Sequence, residues 1–281
     1  MIYWLLFIIG LCIGSFLNVV IYRETRNEVK RFANLKVKKE GIGRYLPSWT
    51  KGRSVCDHCG RKIRWYDNIP LLSYLLLRGR CRFCKKKISF QYPLVEFLTG
   101  LEFVWIYFLV QKNLLFFSRF EGFYSFLSLF IWLVLGACLL TIFIADWQYQ
   151  IIPDSSILAG SLAGFFKIWV DYFYTGMVDF SLLWSALGAS LFLGGLVLIT
   201  KGEGMGLGDI KLGFLMGLIL GFPKIVSALF FSFLTGAGLG VILILLGRKK
   251  LKSQIAFGPF LIGGLVFSLI WGEAVWQWFS C

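Results

Sequence analysis

Two aspartates follow distinctive patterns in a strongly apolar chain. Asp209 ends the stretch KGEGMGLGD, in which a glycine stands at every second position from Gly202 to Gly208. Asp146 lies at the end of another apolar run, in FIADWQYQIIPD. Two carboxylates that share a site cannot both ionise easily, so one holds a proton while the other stays charged. Such a pair can hydrolyse a peptide bond without a covalent intermediate.

Four cysteines form a second pattern. CDHC at 56–59 and CRFC at 81–84 are two CxxC pairs separated by 21 residues. The spacing is typical of a closed, structural zinc site with four thiolate ligands, here Cys56, Cys59, Cys81 and Cys84. Disulfides are the alternative, which a reducing cytosolic environment disfavours. His58 is the only histidine, so neither an HExxH metalloprotease site nor a Ser-His-Asp site can be assembled, and we expect it to be exposed.

The composition indicates a membrane protein. With 58% hydrophobic, 18% aromatic and only 16% charged residues, the 281-residue chain cannot hide its apolar side chains in one soluble core. We therefore predict an all-α polytopic membrane protein with about eight transmembrane helices. The apolar runs long enough to cross a bilayer are 2–22, 94–111, 123–145, 155–174, 181–200, 210–222, 225–247 and 255–279. The first run lacks a basic n-region, so we predict a retained span rather than a cleaved signal peptide.

The positive charge is concentrated in one loop. Residues 23–92 contain 19 Lys and Arg against 5 Asp and Glu, whereas the rest of the chain contains 10 of each. By the positive-inside rule this loop is cytoplasmic and the N-terminus lies outside. The basic cluster at 248–252 then also falls inside. We expect the loop to be attracted to anionic membrane lipids and predict no nucleic-acid partner, because no groove-binding motif accompanies the charge.

The predicted topology puts both aspartates on the cytoplasmic side, Asp146 at the end of the third span and Asp209 at the start of the sixth. The sixth span has about 12 residues before the GFPK break, so it covers roughly 18 Å of a hydrocarbon core about 30 Å thick. Asp209 should therefore lie below the inner membrane surface. A carboxylate in that position is costly when it is ionised alone, so it should be protonated or have a partner.

Motifs along most of the chain resemble those of the type IV prepilin leader peptidase family. Besides the CxxC pairs they are GSFLNVVIYR at 14–23, YDNIPLLSYLLLRGRC at 66–81, YPLVEFLTG at 92–100, DWQYQIIPD at 146–154, GLGDIKL at 206–212 and FGPFL at 257–261. The resemblance implies a GxGD-type aspartyl endopeptidase of the bacterial inner membrane. Such an enzyme cleaves the short basic leader from type IV prepilins or pseudopilins at the cytoplasmic face. By position, Asp146 and Asp209 are its catalytic pair.

The resemblance also implies a second activity, which is methylation of the new N-terminal amine with S-adenosylmethionine. Spacing and composition give no sign of this activity, because no GxGxxG follows a predicted strand. The expected organisation has three parts: 1–22 is the first transmembrane helix, 23–93 a basic cytoplasmic zinc domain with the four cysteines, and 94–281 a seven-helix membrane aspartyl peptidase domain.

Residues near the aspartates have expected supporting roles. Gly206 and Gly208 lack a Cβ and so let backbone or substrate approach the aspartate. Lys211 either extends to the membrane surface or favours the ionised aspartate. Because a basic loop repels a basic leader, we expect Glu203 and Asp154 to contact the leader.

Two glutamates fall in or near the second span, where ionisable residues often mark functional sites. The alternative for Glu96 is a position among the lipid head groups. The alternative for Glu102 is a hydrogen bond between helices.

Two other classes of function fit parts of the sequence. A transporter or channel that uses the aspartates as an ion pathway predicts inverted repeats and broken midplane helices, which are not evident, and leaves the cysteines unexplained. A presenilin-like intramembrane protease shares GxGD but would cut within a span and need no zinc-bearing loop. The agreement of motifs along the chain favours the leader peptidase.

Overall fold

A computed structural model describes residues 1–35, 54–56, 58–112, 122–202, 205–247 and 256–280. These residues form nine α-helices and a short 3₁₀ helix, Trp65–Asn68, and they contain no β-strand beyond two isolated bridges. The predicted all-α class is confirmed. The helices are α1 (Ile2–Leu35), α2 (Leu72–Leu76), α3 (Gln91–Gln111), α4 (Phe123–Tyr149), α5 (Asp154–Thr175), α6 (Phe180–Ile199), α7 (Leu207–Leu220), α8 (Lys224–Leu245) and α9 (Gly258–Ser280).

Each of the eight predicted spans corresponds to one long helix. The largest difference is at α1, for which the sequence predicts an end at residue 22 and which continues to Leu35. Its part that is long and apolar enough to cross a membrane is Ile2–Thr25. The helix continues because residues 23–35 contain neither glycine nor proline, the two residues that most disfavour a helix.

Six helices of the described chain are long and apolar enough to cross a membrane, namely α3, α4, α6 and α8 over their whole length, α1 over Ile2–Thr25 and α9 over Gly258–Trp278. The chain is a multi-pass membrane protein. Helix α5 carries Lys167 and Asp171, which form an ion pair at 2.9 Å. Helix α7 has only 14 residues and is about 21 Å long. For these two helices, the crossing of the membrane stays a prediction.

The chain divides into two compact units, Met1–Tyr107 and Phe108–Cys281. In the first unit, α1 packs closely against α3 at glycines. A Cβ atom on Gly10 would lie 2.7 Å from the Cα atom of Gly100. Small residues of this kind allow membrane helices to approach at backbone distance. In the sequence, the cysteine-bearing loop of the same unit connects these two helices.

In the second unit, α7 is the central helix and packs against α5, α6, α8 and α9. Its inward side chains are fully buried, namely Leu212, Leu215, Met216 and Leu218. A Cβ atom on Gly217 would lie 2.4 Å from Ala186 of α6, so this contact requires glycine. Helix α4 packs against α5 and α9. These contacts fix the start of α7, and they bring the end of α4 to the start of α9.

Candidate functional site

The four cysteines come together in the first unit. The sulfur atoms of Cys56, Cys59, Cys81 and Cys84 all lie within 4.8 Å of one another, and the Sγ atoms of Cys56 and Cys84 are 3.9 Å apart. A tetrahedral site with Zn–S bonds of about 2.3 Å has sulfurs about 3.8 Å apart. The cluster therefore fits one metal ion with four thiolate ligands. His58 is exposed and does not belong to it.

The two CxxC loops share a backbone hydrogen bond and a turn. Cys56 N–H donates to Arg61 O at 3.0 Å, and Cys81 N–H donates to Lys86 O at 2.9 Å. Each loop turns at the residue after its second cysteine, where φ is positive: Gly60 at 65° and Lys85 at 58°. The two loops thus present their sulfurs in equivalent ways, as expected for ligand pairs of one metal.

Two of the thiols have shifted pKa values. Burial is the main cause that raises the pKa of Cys56 to about 11. The backbone N–H groups of Cys84 and Phe83 lower the pKa of Cys81 to about 7, because they stabilise its thiolate. Metals bind the thiolate form, so these N–H groups favour the form of Cys81 that a metal needs.

Asp146 lies in the last turn of α4 and is 5% exposed. Its Oδ2 atom accepts a hydrogen bond of 2.8 Å from the backbone N–H of Gly258, the first residue of α9. A Cβ atom at position 258 would lie 2.7 Å from that oxygen, so this approach requires glycine. A carboxylate at a helix C-terminus opposes the helix dipole. Asp146 therefore does not stabilise its own helix.

Asp209 is the third residue of α7 and is 6% exposed. Its Oδ2 atom accepts a hydrogen bond of 2.9 Å from the backbone N–H of Gly206, the residue that precedes the helix. A carboxylate at this position satisfies a free N–H group and is favoured by the helix dipole. Asp209 therefore has a structural role in addition to any chemical one.

Both predicted aspartates are buried in the second unit, on helices α4 and α7, which each pack against α9. They are close enough for the negative charge of Asp146 to act on Asp209. Each carboxylate accepts a backbone N–H at the start of a helix, and both bonds are made to Oδ2. A buried carboxylate pair held in this way can divide the roles of proton acceptor and proton donor.

The residues with expected supporting roles have different surroundings. Gly208 packs against Ile152, whose Cβ would lie 3.0 Å from a Cβ at 208. Lys211 donates to Asp154 in an exposed ion pair. Lys211 thus pairs with Asp154 near the protein surface, which fits an extended side chain better than one that favours the ionised Asp209. Glu203 lies outside the described residues.

Gly258 is a site residue to which the sequence alone assigns no role. It belongs to FGPFL, which stands out in the sequence only as a family motif. The local signal is a glycine followed by a proline at the start of an apolar run, a pattern that favours a helix N-terminus with a free N–H. The partner of that N–H, Asp146, lies 112 residues away and cannot be inferred from this pattern.

Comparison with known proteins gives consistent matches. Residues 8–110 match the Bacterial Peptidase A24 N-terminal domain, and residues 133–241 match the Type IV leader peptidase family. The chain is 34% identical to the prepilin leader peptidase/N-methyltransferase of Aeromonas hydrophila, over 98% of this chain and 92% of the relative.

Further relatives carry the same name. Identity is 32% to the protein of Pseudomonas putida, over 96% of this chain and 90% of the relative. Identity is 31% to the protein of Legionella pneumophila, over 98% of this chain and 95% of the relative. No solved structure is significantly similar to this chain.

The fold and these matches define a polytopic membrane peptidase. The chain belongs to the type IV leader peptidase family. The predicted family is confirmed, and so is the prediction of an enzyme. Membership decides against the transporter or channel.

Proposed function

We propose that this protein removes the basic leader from type IV prepilins or pseudopilins, with Asp146 and Asp209 as the catalytic pair, and then methylates the new N-terminal amine with S-adenosylmethionine. The observation that carries the proposal is the burial of both aspartates at one site, each held by a backbone N–H at a helix start. The names of the relatives support both activities.

The hydrogen bonds to Oδ2 leave Oδ1 of each carboxylate as the oxygen for water and substrate. One aspartate, ionised, takes a proton from the attacking water. The other, protonated, donates a hydrogen bond to the carbonyl oxygen of the scissile peptide. The water oxygen bonds to the carbonyl carbon, and the peptide C–N bond breaks as the amine gains a proton. The pair carries one negative charge, which needs a stabilising partner in a buried site. The backbone N–H groups at the starts of α7 and α9 supply this stabilisation.

We infer that zinc is the ion of the four-cysteine cluster. Four sulfur ligands are typical of a structural zinc site with no open coordination position, so this ion would hold the two CxxC loops together rather than act on substrate.

Leader cleavage is proposed to occur at the cytoplasmic face of the bacterial inner membrane. The charge of residues 23–92, with 19 Lys and Arg against 5 Asp and Glu, supports this orientation by the positive-inside rule and supports contact with anionic lipids. Glu203 and Asp154 remain the proposed contacts of the basic leader. Asp154 is 63% exposed in its side chain and pairs with Lys211, so a leader lysine would compete with Lys211 for it.

The test is leader removal from a purified type IV prepilin by the full chain in detergent, followed by intact mass. Asp146→Asn and Asp209→Asn should each lower the cleavage rate by on the order of 10²–10⁴-fold, because a catalytic acid or base is removed. Asn keeps the shape and an oxygen for the backbone N–H, so the fold should be retained. Asp171→Asn, a change on α5 to the partner of Lys167, is the matched control. Cleavage at the wild-type rate in either catalytic variant refutes the pair.

A further inference from the structure

The contact between α1 and α3 contains a group of polar side chains that the peptidase site does not use. Glu96 of α3 is only 8% exposed. Its Oε2 atom accepts a hydrogen bond of 2.9 Å from Leu71 N–H, and the Ser15 hydroxyl of α1 donates to the same carboxylate. Gly14 allows the close approach, since its Cβ would lie 2.7 Å from the Glu96 Cα atom. At this exposure Glu96 has little surface left for contact with lipid head groups.

Asn18 lies one turn after Ser15 on α1 and is 3% exposed. Its Nδ2 atom donates to Tyr92 O at 3.0 Å, one turn before Glu96 on α3. Among the described residues its Oδ1 atom is buried and has no hydrogen-bond partner. Buried acceptors are nearly always paired, so this one is open to a donor that the described residues do not supply.

The chemistry of the group defines the ligand. A carboxylate, an amide oxygen and a hydroxyl oxygen all accept hydrogen bonds, and the carboxylate adds a negative charge. Within the described residues, the hydrogen bonds of Glu96 come from Leu71 N–H and the Ser15 hydroxyl, neither of which is a cation. The complementary ligand is a compact cation with several N–H donors, which is a primary ammonium group. Ser15 is only half-buried, so the group can be approached from its side.

We propose that Ser15, Asn18 and Glu96 bind the α-ammonium group that leader cleavage creates on the pilin, and that Glu96 removes the proton that blocks methylation. This proposal rests on the proposed function. A methyl group is transferred only to an amine with a free electron pair. Glu96 takes one proton from the ammonium group, and the amine nitrogen then attacks the methyl carbon of a sulfonium donor. The C–N bond forms, the S–CH₃ bond breaks with its electrons left on sulfur, and the products are a methylammonium group and a thioether.

Glu96→Gln separates this role from a structural one. Glutamine keeps the size of the side chain and an oxygen that accepts from Leu71 N–H and Ser15. It removes the charge and the ability to take a proton. A role limited to holding Leu71 would leave methylation unchanged.

The experiment uses the full chain in detergent with S-adenosylmethionine labelled in the methyl group. The probe is a peptide of a mature pilin N-terminus with a free amine, so that methylation does not depend on cleavage. Glu96→Gln should lower methylation at least 100-fold, while prepilin cleavage stays within threefold of wild type. Asn18→Ala should raise KM for the peptide at least tenfold with a smaller change in kcat.

The matched control is Thr99→Val in the same helix contact. Thr99 is fully buried, and its hydroxyl donates to Val95 O within α3 at 2.8 Å. It should change neither activity. If Glu96→Gln methylates the peptide at the wild-type rate, only the inference is overturned. If the wild-type protein itself cleaves prepilin but never methylates the peptide, the methylation half of the proposed function is overturned, and the inference with it.

A second measurement tests the proposal even if the Glu96→Gln protein loses both activities through a folding defect. Peptides with a free or an acetylated N-terminus are compared as inhibitors of wild-type methylation of a labelled pilin. The free amine should inhibit and the acetylated peptide should not. Equal inhibition by both overturns the proposal.

Discussion

The four-cysteine cluster and the aspartate pair are assembled in opposite ways. All four cysteines lie within 29 consecutive residues, and two equivalent loops bring their sulfurs together. The aspartates come from helices α4 and α7, and the nearest backbone donor of Asp146 comes from a third helix, α9. The cluster depends on local turns, whereas the pair depends on the packing of the second unit. Changes in one site should therefore leave the other intact.

Among substitutions that should affect one site and spare the other, the largest loss of cleavage is expected at Gly258. In Gly258→Ala the new Cβ would lie 2.7 Å from Asp146 Oδ2 and displace the carboxylate. Cleavage should fall by on the order of 100-fold, as when one fixed donor is lost from an active site. Zinc content should not change. Rates on a purified prepilin and metal analysis measure the two effects.

The control for this prediction is Gly263→Ala on the same helix, where a Cβ would meet nothing within 4 Å. It should cleave like wild type. If Gly258→Ala also does so, the hydrogen bond between α4 and α9 is not needed for catalysis.

The second prediction concerns the cluster. Cys84→Ser removes one of four ligands and should reduce bound zinc from about one per chain to a small fraction, because three remaining ligands bind structural zinc much more weakly. Leader removal should fall far less than in the aspartate variants. Cys12→Ser is the control, since Cys12 is exposed on α1 and outside the cluster. A loss of cleavage as large as that of Asp209→Asn would show that the two sites are not independent.

A smaller effect should distinguish the two glycines before Asp209. Alanine at 208 would press against Ile152 at 3.0 Å, and overpacking of this kind costs about 1–3 kcal/mol. Gly206 has φ −87° and its nearest neighbour to a Cβ is 3.7 Å away, so alanine fits there. Thermal unfolding should show a lower Tm for Gly208→Ala only. If Gly206→Ala keeps its Tm but loses cleavage, the substrate occupies the space beside Gly206.

The smallest effect is expected at the exposed ion pair of Asp154 and Lys211. Asp154→Lys should raise KM for a lysine-rich leader by at most about fivefold and keep kcat, since exposed charge pairs contribute roughly 1 kcal/mol or less. Lys211→Gln removes the ion pair without reversing the acidic charge and should not raise KM. A leader with glutamines in place of lysines should be insensitive to Asp154→Lys. Equal KM values for both leaders would remove Asp154 from leader recognition.

The features that depend on local pattern could be predicted from the sequence. Apolar runs identified eight helices, and the CxxC spacing identified the four members of the cluster. The need of Asp209 for a partner followed from its place at the start of a short apolar run, and the partner is Gly206 N–H. These features depend on residues close together in the chain, where periodicity and spacing are informative.

Contacts between distant segments could not be predicted. The bond from Gly258 to Asp146 and the contact of Leu71 with Glu96 join residues 112 and 25 positions apart. Nothing in one sequence indicates which backbone N–H meets which carboxylate. The pairing of Lys211 with Asp154, 57 positions apart, is unpredictable for the same reason.

With Asp146 in the proposed catalytic role, the hydrogen bond from Gly258 should make cleavage sensitive to the lipid bilayer. It joins the end of one membrane-crossing helix to the start of another. Helices respond to bilayer thickness by changing their tilt, and a different tilt of α4 relative to α9 would lengthen this bond. Lipid acyl-chain length should therefore alter the cleavage rate of the wild-type protein through a contact that no lipid touches.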